Sequence, residues 1–351
     1  MLRPKIFDFS GRTNLIQTRW QQYKTSSPFT YLNNIFMKYL LKKQILLLLI
    51  LISTIACKTD NKNVETTKVS STLIENTLLK HTVLSDGHPM AVWEKKADNA
   101  KGLILFVHGR TWSSVPDFDL QVEGEDLSLM DGMLAQGYST YAVDLRGYGG
   151  TPRDSTEWTS PDKAAKDIIN ILNWISVQNN NKKVHLFGWS MGSTLSLLAT
   201  QKDAKDIASL TVFGFWKDLD FKIPETSIIQ LKRSFNTAEN AASDFIIPGS
   251  ISQKAIDTYV KMALEYDPIR VDWRFTSQYN NIDPSLITTP VLILQGELDP
   301  IAPAEHQVKL FTRLKTADKS WVVISGGDHA AFMEKPRKHF IHSFTEFINR
   351  F

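Results

Sequence analysis

The sequence predicts an α/β fold with a mostly parallel central sheet and helices on both of its faces. Uninterrupted apolar runs, which strands buried on both faces require, alternate along the chain with segments of helical spacing. These runs lie at 102–107, 139–143, 183–187, 207–213 and 290–294. Polar and glycine-rich residues follow them, as expected of loops at the carboxyl ends of parallel strands. At 351 residues the chain is long enough for one large domain with a small insertion, or for two ordinary domains.

The remaining elements follow the same rhythm. The segment from Leu73 to Lys96 alternates and turns at Ser85-Asp86-Gly87, so it predicts an antiparallel strand pair. Apolar spacing, proline starts and glycine or asparagine ends predict helices along the rest of the chain. These helices lie at about 127–136, 161–178, 193–200, 304–314 and 336–351, with a further strand at 321–324.

The stretch from about Phe215 to Asp283 breaks this rhythm. It holds many aromatic residues among scattered charges and is punctuated by Pro224, Pro248 and Pro268. We expect a small helical cap over the carboxyl edge of the sheet. Many of its aromatic side chains are expected to pack within the cap or against the domain rather than to contact a ligand.

The most informative pattern is Gly188-Trp189-Ser190-Met191-Gly192, between a predicted strand and a predicted helix. A serine at such a sharp corner holds a strained backbone, and flanking glycines give it room because they carry no Cβ. Its hydroxyl then projects into open space, as in a nucleophile elbow. The backbone N–H of Met191 lies at the start of the helix, where unpaired amides and the helix dipole favour a developing oxyanion.

A serine becomes a good nucleophile when a base accepts its proton and a carboxylate orients that base. Asp299 follows the strand at 290–294, and His329 follows the strand at 321–324. The rival candidates for these two roles are Glu297, Asp328, His108, His185 and His306. None of the three rival histidines follows the last strand, so we favour His329 as the base and Asp299 as the acid.

Five motifs in a fixed order resemble those of the α/β-hydrolase superfamily. They are His108-Gly109, Asp144-x-Arg146-Gly147-x-Gly149, Gly188-x-Ser190-x-Gly192, Gly296-x-x-Asp299 and Gly-Asp-His329, within about Leu73 to Phe351. The resemblance implies an α/β-hydrolase fold with Ser190 as nucleophile, His329 as general base and then acid, and Asp299 as orienting carboxylate. It also implies an oxyanion hole made by the backbone N–H groups of Met191 and Arg110.

Other charged residues near these motifs have simpler interpretations. Asp144 and Arg146 are expected to form an ion pair that braces their loop. The Arg110 side chain is either a solvated or salt-bridged cation or a contact for a carboxylate or polar group of the substrate. Histidines and carboxylates with the spacing of metal ligands are not found, so we expect no metal and no cofactor.

The N-terminal region contains a targeting pattern. A basic stretch at 37–43 precedes the almost purely aliphatic run Ile45 to Ala56 and then Cys57, the single cysteine. Such a run is short for a bilayer span and typical of the apolar core of a secretory signal. The pattern resembles a bacterial lipoprotein signal peptide, in which a lipid-modified cysteine follows the cleavage point, but Thr54 stands where leucine is usual. An uncleaved signal anchor and a buried core helix are the alternatives.

This resemblance implies a division of the chain. Residues 1–36 would lie upstream of the true start or form a dispensable leader, 37–56 would be the signal peptide, and 57–72 a polar tether. The hydrolase domain would span 73–351, with the cap at about 215–283. We expect a lipoprotein of the bacterial cell envelope, anchored to the membrane by the lipid on Cys57, with a secreted or periplasmic protein as the alternative.

The charge distribution argues against nucleic-acid binding. The formal net charge is +3, but residues 1–56 carry eight Lys/Arg against Asp8 alone, which leaves −4 for residues 57–351. The predicted domain therefore has no basic excess, and Lys/Arg blocks interleaved with aromatic residues are not found. The sequence does not indicate an oligomeric state.

These observations predict a serine hydrolase that cleaves carboxylic esters with an apolar acyl group through an acyl-enzyme. A serine at the elbow argues against haloalkane dehalogenases and epoxide hydrolases, whose family pattern has aspartate there. Thioesters, amides and peptides remain alternative substrates, because one acyl-enzyme can be formed from each. A non-catalytic surface binding protein with the same fold is a further alternative.

Overall fold

The computed structural model describes residues 77–225 and 233–351. The predicted leader at 1–36, the signal peptide at 37–56 and the tether at 57–72 with Cys57 lie outside the described residues. Within the described ranges, no helix combines the length and the apolar character that crossing a membrane requires.

A large sheet of eight strands forms the centre of the described part. Its strands and those of a small second sheet are β1 (Leu79–Ser85), β2 (His88–Lys95), β3 (Leu103–Val107), β4 (Ser139–Val143), β5 (Trp158–Thr159), β6 (Val184–Trp189), β7 (Ile207–Phe213), β8 (Asp272–Trp273), β9 (Val291–Gly296) and β10 (Lys319–Ile324). The large sheet has the order β1-β2-β4-β3-β6-β7-β9-β10, and β5 pairs with β8. Strand β2 is antiparallel to β1 and β4, and all other neighbours are parallel. The predicted mostly parallel sheet is confirmed.

Helices connect these strands, and the five predicted at about 127–136, 161–178, 193–200, 304–314 and 336–351 are found close to those positions. The helices of the described residues are α1 (Ser114–Phe118), α2 (Leu129–Ala135), α3 (Pro161–Gln178), α4 (Met191–Lys202), α5 (Ala238–Ala242), α6 (Gln253–Tyr266), α7 (Ala304–Arg313) and α8 (Arg337–Ile348), with 3₁₀ turns at Thr276–Asn281 and Pro284–Leu286. Proline in the first turn of α3 suits a helix start because its missing N–H would be unpaired there.

The central strands are buried on both faces, as their apolar runs predict. In β3, Leu103, Leu105 and Val107 contact the core on one face of the sheet, together with residues of α3 and α4. The intervening Ile104 and Phe106 contact the core on the other face, together with residues of α2 and α8. Because strand side chains alternate in direction, an uninterrupted apolar run supplies both cores at once.

Parallel pairing brings the carboxyl ends of β6, β7, β9 and β10 to one edge of the sheet. Ser190 follows β6, Asp299 lies in the loop after β9, and His329 lies in the loop after β10. Residues that are far apart in sequence thus meet at one edge.

The stretch from 215 to 283 contains two helices, a short strand and a 3₁₀ turn in its described residues. Its first helix, α5, has five residues, and α6 has fourteen. Helix α6 packs against the domain through Ala255, Tyr259 and Ala263, which are buried in the same core as α2 and α8.

The predicted ion pair between Asp144 and Arg146 is wrong. Asp144 instead accepts hydrogen bonds from Trp93 Nε1 at 2.8 Å and from two backbone N–H groups, those of Ser114 and Gly150. Arg146 pairs with Asp167 at 2.7 Å and with Asp154 at 3.2 Å. The two residues are two positions apart on a turning loop, and their side chains contact different segments of the chain. Each side chain therefore links its own set of segments to the loop.

Candidate active site

The elbow serine has the strained backbone that its position predicts. Ser190 lies between β6 and α4 with φ 53° and ψ −118°. A side chain in this conformation costs about 1–3 kcal/mol, so the surrounding structure must hold it. The Ser190 N–H donates to the carbonyl of Phe213 at the end of β7, at 2.9 Å, which ties the elbow to the neighbouring strand.

The two glycines of the pattern are required by close backbone approach. A Cβ at Gly188 would lie 2.3 Å from the carbonyl oxygen of Gly192, and a Cβ at Gly192 would lie 2.2 Å from the carbonyl oxygen of Val107. Both distances are far below a van der Waals contact. Strand β6, helix α4 and strand β3 therefore meet at the elbow more closely than any side chain would allow.

Asp299 and His329 form a buried hydrogen-bonded pair. His329 Nδ1 lies 2.7 Å from Asp299 Oδ2, and the two side chains are 5% and 0% exposed. The other carboxylate oxygen of Asp299 accepts the backbone N–H groups of Ile301 and Ala302. Both oxygens of Asp299 thus have donors, which holds the carboxylate in one orientation.

The imidazole of His329 lies close to the elbow. Trp189, the residue before Ser190, donates its indole N–H to the carbonyl of His329 at 2.7 Å. A Cβ at Gly214 would lie 2.7 Å from His329 Cε1. Since Gly214 follows Phe213, whose carbonyl accepts the Ser190 N–H, the serine and the histidine border the same short segment.

The rival acids of the sequence analysis have other partners. Asp328 is buried, and it accepts the backbone N–H groups of Ile246, Ile247 and Ala330. Glu297 accepts from Ser325 Oγ and from the backbone N–H of Gly326. Both carboxylates shape the loop around His329, whereas Asp299 is the one that contacts its ring.

Two of the rival histidines are structural. Burial lowers the pKa of His108 to about 4, so its ring is neutral at physiological pH. Its Nε2 accepts the N–H of Leu145 at 3.1 Å, which leaves the proton on Nδ1 to be donated to the carbonyl of Gly109 at 2.8 Å. His185 is also buried, with its pKa lowered to about 4, and its Nδ1 contacts Ser209 Oγ.

The loop that carries Arg110 lies beside the elbow and is held in place by a hydrogen bond from Tyr148. A Cβ at Gly109 would lie 3.5 Å from the Cβ of Ser190. The buried hydroxyl of Tyr148 donates to the carbonyl of Arg110 and accepts from Trp273 Nε1 at 2.8 Å. The role of Tyr148 was missed in the sequence, where it stands inside the Asp144–Gly149 motif as an aromatic residue without a distinguishing pattern.

A cavity of about 510 Å³ opens over the elbow. Its described lining residues are Arg110, Ser190, Met191, Trp216, Ile223, Trp273, Thr276, Tyr279 and Ile301. Most of these side chains are apolar, and five of the nine come from the stretch 215–283. A concave apolar site with a few polar groups is typical of small-molecule binding.

Comparisons with known proteins bear on the family and the fold of this chain. A family model described as serine aminopeptidase, S33 (Hydrolase_4) matches residues 98–336. The chain belongs to this family. Together with the solved structures that it resembles, the match confirms the α/β-hydrolase fold and supports a serine hydrolase of that fold.

Three similar proteins are informative. This chain is 22% identical over 227 residues to a lysophosphatidylserine lipase, ABHD12, of Xenopus tropicalis, and the match covers 65% of this chain and 50% of the relative. It is 24% identical over 213 residues to a monoglyceride lipase homolog of monkeypox virus, covering 58% and 72%. A monoacylglycerol lipase of Paleococcus ferrophilus superposes with a TM-score of 0.55 at 20% identity, covering 78% and 99%. The chain thus spans half the length of the first relative, and the structural likeness shows the fold.

The described part of the chain offers no site for a metal ion. Within residues 77–225 and 233–351, no group of three or more histidine, cysteine, aspartate or glutamate side chains has a suitable arrangement.

A buried cluster of two carboxyls and a tyrosine lies next to the loop that carries Arg110, where the Gly109 N–H donates to Asp117. The hydroxyl of Tyr259 lies 2.9 Å from Asp117 Oδ1 and 3.1 Å from Asp244 Oδ2. A phenol hydroxyl has one hydrogen to donate. If both carboxyls were ionised, one of the two contacts would therefore join two oxygen acceptors with no hydrogen between them. A proton on one carboxyl resolves this conflict. Consistently, burial raises the pKa of Asp244 to about 6 and that of Asp117 well above its usual value.

We expect the variant Asp244→Asn to gain stability relative to the wild type as the pH rises from about 4 to about 7. In this window the folded wild type keeps a proton that an unfolded aspartate, with a pKa of 3.8, releases. The free energy of unfolding of the wild type therefore falls with rising pH, by about 2 kcal/mol from this group. Asparagine does not titrate, so its variant lacks this loss. Denaturant unfolding of both proteins at several pH values measures the difference, with Asp257→Asn at an exposed position of α6 as the control. A difference that does not change with pH would contradict the shared proton.

Proposed function

We propose that this protein is a serine esterase that cleaves carboxylic esters of apolar acyl groups through an acyl-enzyme. Ser190 is the nucleophile, His329 the general base and then acid, and Asp299 the carboxylate that orients His329. The observation that carries the proposal is the buried Asp299–His329 pair, 2.7 Å apart, beside a strained serine at the floor of an apolar cavity.

The reaction begins when Ser190 Oγ attacks the ester carbonyl carbon and His329 Nε2 accepts the hydroxyl proton. The backbone N–H groups of Met191 and Arg110 then stabilise the oxyanion. His329 returns the proton to the leaving alcohol as the bond between carbon and the alcohol oxygen breaks. Water, activated by the same imidazole, hydrolyses the acyl-enzyme and releases the carboxylic acid.

The lining of the cavity favours esters over aminopeptidase substrates. An aminopeptidase must bind the protonated amino group at the end of a peptide, and a carboxylate is the usual partner for such a cation. Among the described residues that line the cavity over Ser190, none is Asp or Glu, and one is the cation Arg110. The two relatives that match by sequence carry lipase names, which is consistent with esters of apolar acids.

Labelling with a fluorophosphonate probe tests the assignment of the nucleophile. We expect the full-length chain to bind one probe per molecule at Ser190 and the Ser190→Ala variant to bind none, because the probe reacts with serines that an adjacent base activates. The labelled residue is identified by peptide mass analysis. Equal labelling of both proteins, or no adduct on the folded wild type, would contradict the proposal.

The same proposal includes anchoring to the membrane of a bacterial cell envelope through a lipid on Cys57. Its support is the sequence pattern of residues 37–57, a basic stretch followed by an aliphatic run and the single cysteine. Two or more acyl chains on one cysteine would give stable anchoring.

A further inference from the structure

A second cavity lies beside the one that contains Ser190. It has a volume of about 390 Å³, and Arg110 and Trp273 line both cavities. Five of its eleven described lining residues are arginines, namely Arg110, Arg153, Arg233, Arg270 and Arg274. These arginines come from four separate segments of the chain, so the concentration of cations exists only in the folded protein.

The acidic residues of the second cavity neutralise two of these arginines. Arg233 pairs with Glu157, and Arg274 Nε lies 2.8 Å from Asp272. Among the described residues, none of Arg110, Arg153 and Arg270 forms an ion pair with a carboxylate. The cavity therefore keeps an excess of three positive charges.

The three unpaired arginines differ in what they contact. Arg153 donates to the backbone carbonyls of Ile269 and Arg270, at 3.2 Å each, so it braces the segment that carries Arg270. Arg110 and Arg270 are exposed to solvent. Their planar guanidinium groups are suited to bidentate contacts with carboxylate or phosphate oxygens.

The wall between the two cavities is held in place by hydrogen bonds. Trp273 Nε1 donates to the hydroxyl of Tyr148 at 2.8 Å, and that hydroxyl donates to the carbonyl of Arg110. Trp273 and Tyr148 are 7% and 1% exposed. A substrate that reaches from Ser190 into the second cavity thus meets a fixed surface, which lowers the cost of ordering on binding.

We propose that the arginine-lined cavity binds an anionic oxygen group, phosphate or carboxylate, on the alcohol part of the substrate. This inference rests on the esterase function proposed above and adds the class of leaving group. The acyl chain occupies the apolar cavity, and the ester carbonyl lies at Ser190. Attack by Ser190 Oγ forms the acyl-enzyme, and the anionic alcohol leaves with the proton that His329 returns. Water then releases the acid, so one ester and one water give one carboxylic acid and one anionic alcohol.

Three esters with the same acyl chain test the inference. They are decanoylglycerol, which is neutral, its 3-phosphate, and the decanoyl ester of glyceric acid, which carries a carboxylate. For the full-length wild type we expect kcat/KM to be about tenfold or more higher for an anionic ester than for the neutral one. Which of the two anions is preferred distinguishes phosphate from carboxylate. The preference is expected to decline as the salt concentration rises, since ions screen these charges.

Variants of Arg270 locate the effect. We expect Arg270→Gln to lower the ratio of kcat/KM for the anionic over the neutral ester by about tenfold, mainly through KM, and Arg270→Glu to lower it further. The matched control is Arg350→Gln, because Arg350 is also exposed and pairs with Asp318 near the end of the chain. This control is expected to leave the ratio unchanged. Thermal unfolding of each variant verifies that it is folded.

The outcomes separate this inference from the esterase proposal. Equal hydrolysis of all three esters, with a ratio that Arg270→Gln does not change, would overturn the anion site and leave the esterase intact. If none of the esters is hydrolysed, calorimetric binding of glycerol 3-phosphate to the Ser190→Ala protein decides. Binding that Arg270→Gln abolishes supports the anion site independently of turnover, and binding no stronger than that of glycerol overturns it.

Discussion

Replacing His329 with alanine is expected to lower kcat for ester hydrolysis by about four orders of magnitude or more. His329 Nδ1 contacts Asp299, so this nitrogen carries the proton that the carboxylate accepts, and Nε2 is free to take a proton from Ser190. Without the imidazole, the serine hydroxyl stays protonated at neutral pH and is a poor nucleophile. Steady-state hydrolysis of a p-nitrophenyl ester by the full-length protein measures the loss.

The fold is expected to survive this substitution. The hydrogen bond that joins the loop of His329 to the elbow runs from Trp189 to the backbone carbonyl of residue 329, which alanine also has. The control is His306→Ala on α7, which is expected to keep kcat within about twofold of the wild type. A near-normal rate for His329→Ala, or a comparable loss for His306→Ala, would show that His329 is not the base.

The variant Gly192→Ala is expected to destabilise the protein by about 3 kcal/mol or more. The added Cβ would lie 2.2 Å from the carbonyl oxygen of Val107 and 2.6 Å from that of His108. Both obstacles are backbone atoms, one of them at the end of a central strand, so no change of rotamer relieves the clash. Either α4 or β3 must move, and with it the elbow. We expect the melting temperature to fall by about 6 °C or more, as measured by thermal unfolding.

Gly87→Ala is the matched control for this effect. Gly87 lies in the turn between β1 and β2 with φ 79°, and a Cβ there would meet nothing within 4 Å. Its replacement costs only the left-handed backbone conformation, about 1 kcal/mol. If Gly192→Ala were no more destabilising than Gly87→Ala, the close approach of α4 and β3 would not be what requires glycine at this position.

The strands and the elbow could be read from the sequence because their signals are local. The apolar run of β3 predicts burial on both faces, and the structure finds both of its faces buried. The pattern around Ser190 predicts a strained corner because its two flanking glycines, which carry no Cβ, leave the room that such a corner needs. Asp299 and His329 were found by their position after apolar runs, and parallel pairing then brings such positions to one edge of the sheet.

The errors and omissions concern the partners of side chains. Asp144 and Arg146 are only two positions apart in sequence, yet Asp144 accepts a hydrogen bond from Trp93 and Arg146 pairs with Asp167, which lie on other segments. Tyr148, Tyr259 and Asp244 gave no signal, because nothing in the local sequence indicates which distant group a buried polar side chain will contact. Such pairs are chosen by distance and burial after the chain has folded.

The sequence by itself determined the class of fold, the strained serine and the two loop residues that lie near it, because local spacing and residue type encode these features. Only the tertiary structure decided which aromatic residues line the cavity over Ser190 and that a second cavity shares its wall. It also decided that Arg110, Arg153 and Arg270 lie together without an acidic partner among the described residues. A cluster of like charges from distant segments has no pattern along the chain, since its energy depends on separations in space that folding alone sets.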